Sequence, residues 1–283
     1  MNIPVTYMSG AGNIFTVIDG RESVVSIEQW QKLTPLLCSG EFPTEGLIIL
    51  NNSEILTKNN KPTLNFTSEF FNPDGSHGAM CGNGGRCAVR FALNTLNDPS
   101  FSNSISTISF TMAGTAYQAE IIANEIRVYF PMPVEFRENI EVSDSIKTIH
   151  GDFVDVGSQH FVVNYNQLQT DIPFREFEIE VFAPPFRFHK VFEPRGANIN
   201  LYEVVNNKIN LRTYERGVEA ETGACGTGAI STAVSTVTHN LVQSPVTIIP
   251  PSGIQLTVGY EPENSVVWLQ GTAEFIGDSV FSV

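Results

Sequence analysis

Basic residues are scarce in this chain of 283 residues, where 16 lysines and arginines stand against 30 aspartates and glutamates. A phosphate backbone would be repelled by such a surface, so we expect no nucleic-acid partner. Apolar runs of the roughly 18–20 residues that a membrane helix needs are also missing, and we expect no membrane partner. The start, MNIPVTYMSGAGN, has no basic segment followed by an apolar one. We therefore expect no secretory signal and a cytoplasmic location.

Cysteine is also rare, with four residues in the chain: Cys38, Cys81, Cys87 and Cys225. Four cysteines in a chain of this size do not form a disulfide framework. Zinc-site spacing is absent, which predicts no metal, and a buried thiol is the default interpretation for Cys38 and Cys87. No pyridoxal-phosphate lysine motif, dinucleotide fingerprint or P-loop is visible, so we expect no cofactor.

Segments rich in Val, Ile, Phe and Thr predict strands along most of the chain, and helical windows are few. Ser26 is a plausible N-cap of a helix that Pro35 interrupts. Two further helices follow Cys81 and Cys225, and their nearly all-round apolar character is typical of buried helices. We predict an α+β fold of two pseudo-symmetric halves, each a mostly antiparallel sheet wrapped around a central helix, with the active site in the cleft between them. The proline-containing segment 129–139 is the best boundary, giving halves 1–129, completed by 270–283, and 130–269.

The stretches AMCGNGGRC and GACGTGA each place a cysteine before Gly-x-Gly at a helix start, once in each half. The first turn of a helix has unpaired N–H groups and about half a positive charge, which favour a thiolate and a bound carboxylate. One such motif is more often a device for close packing, but two copies on matching helices favour a site. If the halves face each other, one sulfur lies on each face of the carbon beside a bound carboxylate. That arrangement suits racemisation or epimerisation.

The chain resembles the diaminopimelate epimerase family over most of its length. The stretches that carry the resemblance are MSGAGNIFTVID, FFNPDGSHGAMCGNGGRC, VDVGSQHFV, RGANINLYEV and YERGVEAETGACGTGA. It implies a cofactor-free isomerase that interconverts LL- and meso-diaminopimelate in lysine biosynthesis, with a small amino acid as its substrate. The oligomeric state stays open, with a homodimer as one alternative.

The resemblance also assigns residues to roles. Cys81 and Cys225 match the acid/base pair, and His160 and Glu215 match assisting positions beside a thiol. The pairs Gly82–Asn83 and Gly226–Thr227 match backbone anion sites. The substrate-contacting positions are Asn13, Asn72, Ser158, Asn198, Glu215 and Arg216.

Three departures from the family pattern bear on the substrate. Ser158 stands where the family usually has a substrate-binding asparagine, Glu45 stands where aspartate is usual, and the segment 217–224 carries one extra residue. Simpler interpretations exist for several candidates: Asn13 and Asn72 suit ordinary turns, and a lone histidine such as His160 at a strand edge is usually structural. Glu215 could equally be a structural partner of Arg216.

Two alternatives to the first hypothesis remain. A related two-cysteine racemase or epimerase would act on another amino acid, with Ser158 remodelling the distal pocket. A non-catalytic redox or binding protein would instead close a disulfide between Cys81 and Cys225. The glycine-rich anion sites and the Arg/Asn set speak against the second alternative, because a redox switch does not need them.

Overall fold

The chain folds into two compact units, Met1–Phe130 with Gln270–Val283, and Pro131–Leu269. A computed structural model describes residues 2–40, 42–58, 61–77, 80–95, 105, 107–144 and 147–282. Positions 104 and 106, in a predicted strand, and 96–97, at the end of a predicted helix, lie outside these ranges. None of the helices in these ranges is long and apolar enough to cross a membrane.

The first unit contains one mixed sheet in the order β17-β1-β2-β3-β4-β5-β6-β7. The β2–β3 and β4–β5 pairs are parallel and the other pairs are antiparallel. The elements are β1 (Asn2–Gly10), β2 (Asn13–Asp19), α1 (Ile27–Cys38), β3 (Leu47–Lys58), β4 (Lys61–Phe71), α2 (Gly82–Asn94), β5 (Thr107–Met112), β6 (Thr115–Ile122), β7 (Glu125–Phe130) and β17 (Glu274–Ser282).

The second unit has a sheet in the order β8-β9-β10-β11-β12-β14-β15, with the short β13 on the end of β12. The β10–β11 and β12–β14 pairs are parallel. The elements are β8 (Glu135–Ser143), β9 (Thr148–Asp155), β10 (Gln159–Asn164), α3 (Ile179–Phe182), α4 (Pro184–Arg187), β11 (Asn198–Val205), β12 (Lys208–Glu215), β13 (Ala220–Glu221), α5 (Gly226–Thr238), β14 (Val246–Ile249) and β15 (Leu256–Glu261). Strand β16 (Val266–Gly271) begins in this unit and ends in the first.

Each parallel pair is joined by a segment that contains a helix, because parallel neighbours need a crossover connection. Helix α1 lies between β2 and β3, α2 between β4 and β5, and α5 between β12 and β14. Helices α2 and α5 are buried along most of their length and pack on several strands of their own sheets. The predicted α+β class and the two buried helices are therefore confirmed.

Helix α1 corrects one prediction, because Pro35 lies inside the helix and does not interrupt it. Ser26 caps the helix as expected, and its capping box with Gln29 contributes about 1 kcal/mol. Pro35 has no N–H to donate to the Gln31 carbonyl one turn earlier. That carbonyl faces Gly75 in the loop after β4, so closely that a Cβ on Gly75 would overlap it.

We expect Gly75→Ala to destabilise the protein by about 1–3 kcal/mol. Gly75 has a φ of +85°, and an added methyl group would collide with the Gln31 carbonyl oxygen. Chemical denaturation monitored by circular dichroism would measure the loss. Gly277→Ala is the matched control, because no heavy atom lies within 4 Å of its added Cβ. Equal stability of the two variants would contradict this account of the loop.

Candidate active site

Cys81 is the N-cap residue of α2 and is partly exposed. Its Sγ accepts a hydrogen bond from the Gly84 N–H at 3.4 Å. A Cβ on Gly84 would lie 3.5 Å from that sulfur, and one on Gly85 would lie 2.6 Å from the Met80 side chain. The glycines that follow Cys81 therefore let the first helical turn close around the thiol.

The β1–β2 hairpin brings Asn13 to the same helix start. Gly10 pairs with Asn13 across the turn, and a Cβ on Gly10 would lie 2.6 Å from the Asn83 carbonyl oxygen. Asn13 is buried and its amide donates to the Glu45 carboxylate. Glu45, one of the departures from the family pattern, thus touches a predicted substrate residue directly.

Asn72 lies in the turn that follows β4. Its backbone N–H donates to the Ser76 carbonyl at 2.9 Å, and its side-chain amide donates to Ser76 Oγ at 2.8 Å. These bonds support the structural interpretation of Asn72. Its predicted contact with the substrate stays a prediction.

Cys225 is the N-cap residue of α5 in the second unit and is buried. Its Sγ lies 3.6 Å from Thr227 Oγ1. A Cβ on Gly228 would lie 3.0 Å from Thr213 Oγ1 and 3.3 Å from Asn200 Oδ1, so a larger residue would force the first turn of α5 away from the sheet. Gly226 and Thr227 form the rest of this turn, as the sequence predicts.

Asn198, the first residue of β11, joins Ser158 to Arg216. Its amide donates to Ser158 Oγ at 3.0 Å and to the Gln159 carbonyl at 2.8 Å. Its side-chain oxygen accepts from the Arg216 N–H at 2.8 Å. Ser158 is therefore part of the same hydrogen-bonded group as the predicted substrate residues, although its side chain is shorter than the asparagine of the family pattern.

His160 does not lie at a strand edge, which corrects the sequence-based expectation. It is fully buried on β10, which pairs with β9 on one side and β11 on the other. Nδ1 lies 3.3 Å from Asn200 Oδ1, and Nε2 lies 3.0 Å from Thr227 Oγ1. Burial, aided by the positive charge of Arg216, lowers the pKa of His160 to about 3. The imidazole is therefore neutral at physiological pH.

The hydrogen-bond pattern assigns the tautomer of His160. The amide nitrogen of Asn200 donates to the Gly228 carbonyl, so its oxygen faces His160 Nδ1 as an acceptor. Nδ1 then carries the proton, and Nε2 accepts from the Thr227 hydroxyl. The Thr227 hydroxyl also lies 3.6 Å from Cys225 Sγ, so this contact places the sulfur beside the hydrogen-bonded pair of His160 and Thr227.

Glu215 ends β12 beside the same thiol. Its Oε2 accepts from Thr222 Oγ1 at 2.9 Å, and its side chain is hydrogen-bonded to Cys225. Burial raises the pKa of Glu215, and the hydrogen bonds from Thr222 and Cys225 partly offset that rise. Among the described residues no ion pair within 4.0 Å joins Glu215 to Arg216, although the positive charge of Arg216 acts to lower the pKa of Glu215.

Arg216 follows Glu215 and is half-buried. Burial lowers its pKa, and the nearby charges of Arg187 and Arg195 add to the effect, while Asp155 and Glu219 oppose it. Burial of a guanidinium among further arginines is unfavourable in the free protein. It favours an anionic ligand at this position.

Two buried residues of this group were not predicted from the sequence. Asn200 positions His160, and Thr222 positions Glu215. The alternation of Asn198 and Asn200 in β11 could have indicated that both side chains lie on one face of the strand. Within the ranges that the structure describes, no group of three or more His, Cys, Asp or Glu side chains is arranged to hold a metal ion.

Solved structures define the class of fold. A phenazine biosynthesis protein of the PhzF family from Bacillus anthracis matches with a TM-score of 0.69 at 13% identity, covering 100% of both chains. A hydroxyproline epimerase from Agrobacterium vitis, with bound trans-4-hydroxy-L-proline, matches with a TM-score of 0.69 at 14% identity, covering 100% of this chain and 93% of that one. The chain has the fold that these proteins share.

Sequence comparison assigns the family within that class. The family model for diaminopimelate epimerase matches residues 5–108 and 153–276. The diaminopimelate epimerase of Aquifex aeolicus is 33% identical, with 94% of this chain and 92% of that protein covered. That of Chlorobaculum tepidum is 32% identical, with 95% and 97% covered. The chain belongs to the diaminopimelate epimerase family.

Proposed function

We propose that this protein is a diaminopimelate epimerase, an isomerase that interconverts LL- and meso-diaminopimelate and so contributes to lysine biosynthesis. Membership of the family over nearly the whole chain carries the proposal. The position of each cysteine supports it, because Cys81 and Cys225 are both N-caps of buried helices.

The proposed reaction inverts the carbon between the amino and carboxylate groups of one end of the substrate. One thiolate removes the α-proton and becomes a thiol, and the other thiol delivers its own proton to the opposite face and becomes a thiolate. The negative charge that develops on the carboxylate is stabilised by backbone N–H groups at a helix start. The proposal needs no cofactor, because protons are the only species transferred.

The distal end of the substrate is assigned to the group around Asn198. Arg216 offers two parallel N–H donors to a carboxylate, and its backbone is fixed by the hydrogen bond to Asn198. Ser158 Oγ is held by the Asn198 amide. A binding group of this size suits a long substrate with an amino acid at each end.

The residues around Cys225 have supporting roles. His160 is neutral and holds Thr227, which in turn holds the sulfur, so it acts as a positioning residue. Glu215 is hydrogen-bonded to Cys225 and is proposed to bind the substrate ammonium group when ionised. The neighbouring Thr222 hydroxyl favours this ionised form.

A panel of amino acids in D₂O tests the choice of substrate. The protein is incubated with LL-diaminopimelate, and separately with proline, hydroxyproline, glutamate and lysine, and α-deuteration is followed by NMR. Deuterium is expected to enter diaminopimelate at least about a hundredfold faster than the others, since each lacks one of the two amino-acid ends. Faster deuteration of another amino acid would favour the related racemase in which Ser158 has remodelled the pocket.

Thr222→Val is expected to move the acid limb of the kcat/KM profile to higher pH by about one unit, or about tenfold in rate below the midpoint. Removing the hydroxyl deletes a hydrogen bond that lowers the pKa of Glu215, so the carboxylate forms only at higher pH. Thr222→Ser keeps the hydroxyl and is the control. An unchanged acid limb in the valine variant would show that Glu215 does not act as an ionised group.

The remaining expectations stay part of the proposal. They are a cytoplasmic location, a small amino acid as the substrate and no binding to nucleic acid or membrane. The oligomeric state stays open, with a homodimer as one alternative.

A further inference from the structure

Arg86 is a fully buried arginine in the middle of α2. Its guanidinium donates to three neutral oxygens: the Gly82 carbonyl at 3.3 Å, Asn83 Oδ1 at 2.9 Å and the Thr272 carbonyl at 3.4 Å. No ion pair links it to a carboxylate in the part of the chain that the structure describes. A buried charge without a counter-ion is strongly unfavourable, so its presence calls for a role.

The guanidinium lies in the first turn of the helix. Helical side chains point towards the N-terminus, and a residue shares a face with the residue four positions earlier. Arg86 accordingly bonds to Gly82 and Asn83, the two residues that follow Cys81. Its positive charge therefore adds to the partial charge of the helix start and favours a negative charge on the sulfur.

No other titratable group near Arg86 takes the place of Cys81 as the negatively charged group that its guanidinium stabilises. Burial lowers the pKa of Arg86 to about 10, so it stays protonated at neutral pH. Burial also raises the pKa of Cys87 to about 12, so that thiol keeps its proton. Glu125 on β7 acts on Arg86 through its charge, and its carboxylate accepts a hydrogen bond from Gln270 at 2.6 Å.

The second site has a carboxyl group beside its cysteine instead of a buried arginine, and the positive charge of Arg216 acts on that carboxyl. The residue five positions after Cys225 is Ile230, which is fully buried and uncharged, where Arg86 holds that place after Cys81. Cys225 is hydrogen-bonded to the Glu215 carboxyl. A carboxylate beside a thiol favours the protonated sulfur.

We propose that Arg86 is a positioning residue that makes Cys81 the thiolate of the resting protein, whereas Cys225 holds its proton. One consequence rests on the proposed function: the resting protein first removes the α-proton of the stereoisomer whose α-proton faces Cys81. The ionisation states themselves do not depend on turnover.

Alkylation by iodoacetamide as a function of pH tests the proposal in the whole protein without substrate. Peptide mass spectrometry gives the alkylation rate of each cysteine as a function of pH. The midpoints of these two profiles are compared, because the midpoint does not depend on how accessible the sulfur is. In the unmodified protein the midpoint of Cys81 is expected below that of Cys225. A midpoint for Cys81 equal to or above that of Cys225 overturns the proposal.

Variants separate the charge of Arg86 from its packing. Arg86→Met is expected to raise the midpoint of Cys81 by at least about one pH unit, which lowers its alkylation rate at neutral pH about tenfold. Arg86→Lys keeps the charge and is expected to restore most of the shift. Ile230→Met in α5 is the matched control and should move neither midpoint.

Each result decides the matter. The role of the Arg86 charge is overturned if Arg86→Met folds and leaves the Cys81 midpoint unchanged. It is also overturned if Arg86→Lys raises the Cys81 midpoint as much as Arg86→Met does. If Arg86→Met does not fold, the order of midpoints in the unmodified and Arg86→Lys proteins decides. If the thiols titrate as expected but the protein does not turn over diaminopimelate, the proposed function is wrong and the inference about Arg86 stands.

Discussion

Replacing either Cys81 or Cys225 by alanine is expected to reduce epimerisation of diaminopimelate by at least about a thousandfold. Inversion needs a proton acceptor on one face of the α-carbon and a donor on the other, so the loss of either sulfur stops the reaction. Folding should survive, because each change removes a single sulfur at a helix start. Conversion of LL- to meso-diaminopimelate, followed by chiral chromatography, measures the effect.

The other two cysteines are the controls for this experiment. Cys38 and Cys87 are buried, and burial raises the pKa of both thiols. Their alanine variants should change activity only through stability. Near-normal epimerisation by Cys81→Ala or Cys225→Ala would contradict the two-base mechanism, whatever the family of the chain.

Arg216→Met is expected to lower kcat/KM for diaminopimelate by about ten- to 150-fold, mainly through KM. A charge-assisted bidentate contact with the distal carboxylate is worth about 1.5–3 kcal/mol, and its loss affects the bound substrate and the transition state alike. Initial rates over a range of substrate concentrations separate KM from kcat.

Arg175→Met is the matched control for the change of charge. Arg175 is an exposed arginine of the same unit and belongs to none of the contacts around Asn198. Its loss should leave KM unchanged. If Arg216→Met lowered kcat alone, Arg216 would act at the reacting carbon and the assignment of the distal end would be wrong.

Local sequence signals predicted the elements that depend on neighbouring residues. The helix starts at Cys81 and Cys225 followed from a cysteine, a glycine-rich turn and an apolar run. The hairpin between β11 and β12 turns at Asn206 and Asn207, whose φ values of 50° and 58° are ones that asparagine tolerates in hairpin turns.

Other elements could not be predicted because distant parts of the chain decide them. Pro35 stays inside α1 although a proline normally ends a helix. Gly75, far along the chain, packs against the Gln31 carbonyl, to which Pro35 has no N–H to donate. The strands β8 and β17 have weak patterns, and β17 is largely exposed. Its pairing with β1 joins the two ends of the chain, which no local pattern reports.

The candidate site shows the same division. The residues of the motifs were found from the sequence, but the residues that hold them in position, such as Asn200 and Thr222, were not. His160 meets Asn198 only because β10 and β11 pair in parallel, and Asn200 then reaches the imidazole from the same strand face. The sequence does not distinguish Arg86 from Arg90, the other arginine of the same helix. The role of Arg86 depends on contacts with the backbone of the first turn and with Thr272, close to the other end of the chain.

The position of deuterium at early times in D₂O tests the two-base account most directly. LL-diaminopimelate is incubated with the protein, and the reaction is stopped after about a tenth of the substrate has been converted. Because one thiolate removes the proton and a different thiol, already exchanged with solvent, supplies the replacement, the newly formed meso isomer should carry deuterium at the inverted carbon. The remaining LL isomer should still carry hydrogen. Deuterium appearing in the remaining LL isomer as fast as in the meso product would mean that a single base serves both faces, and would contradict the account.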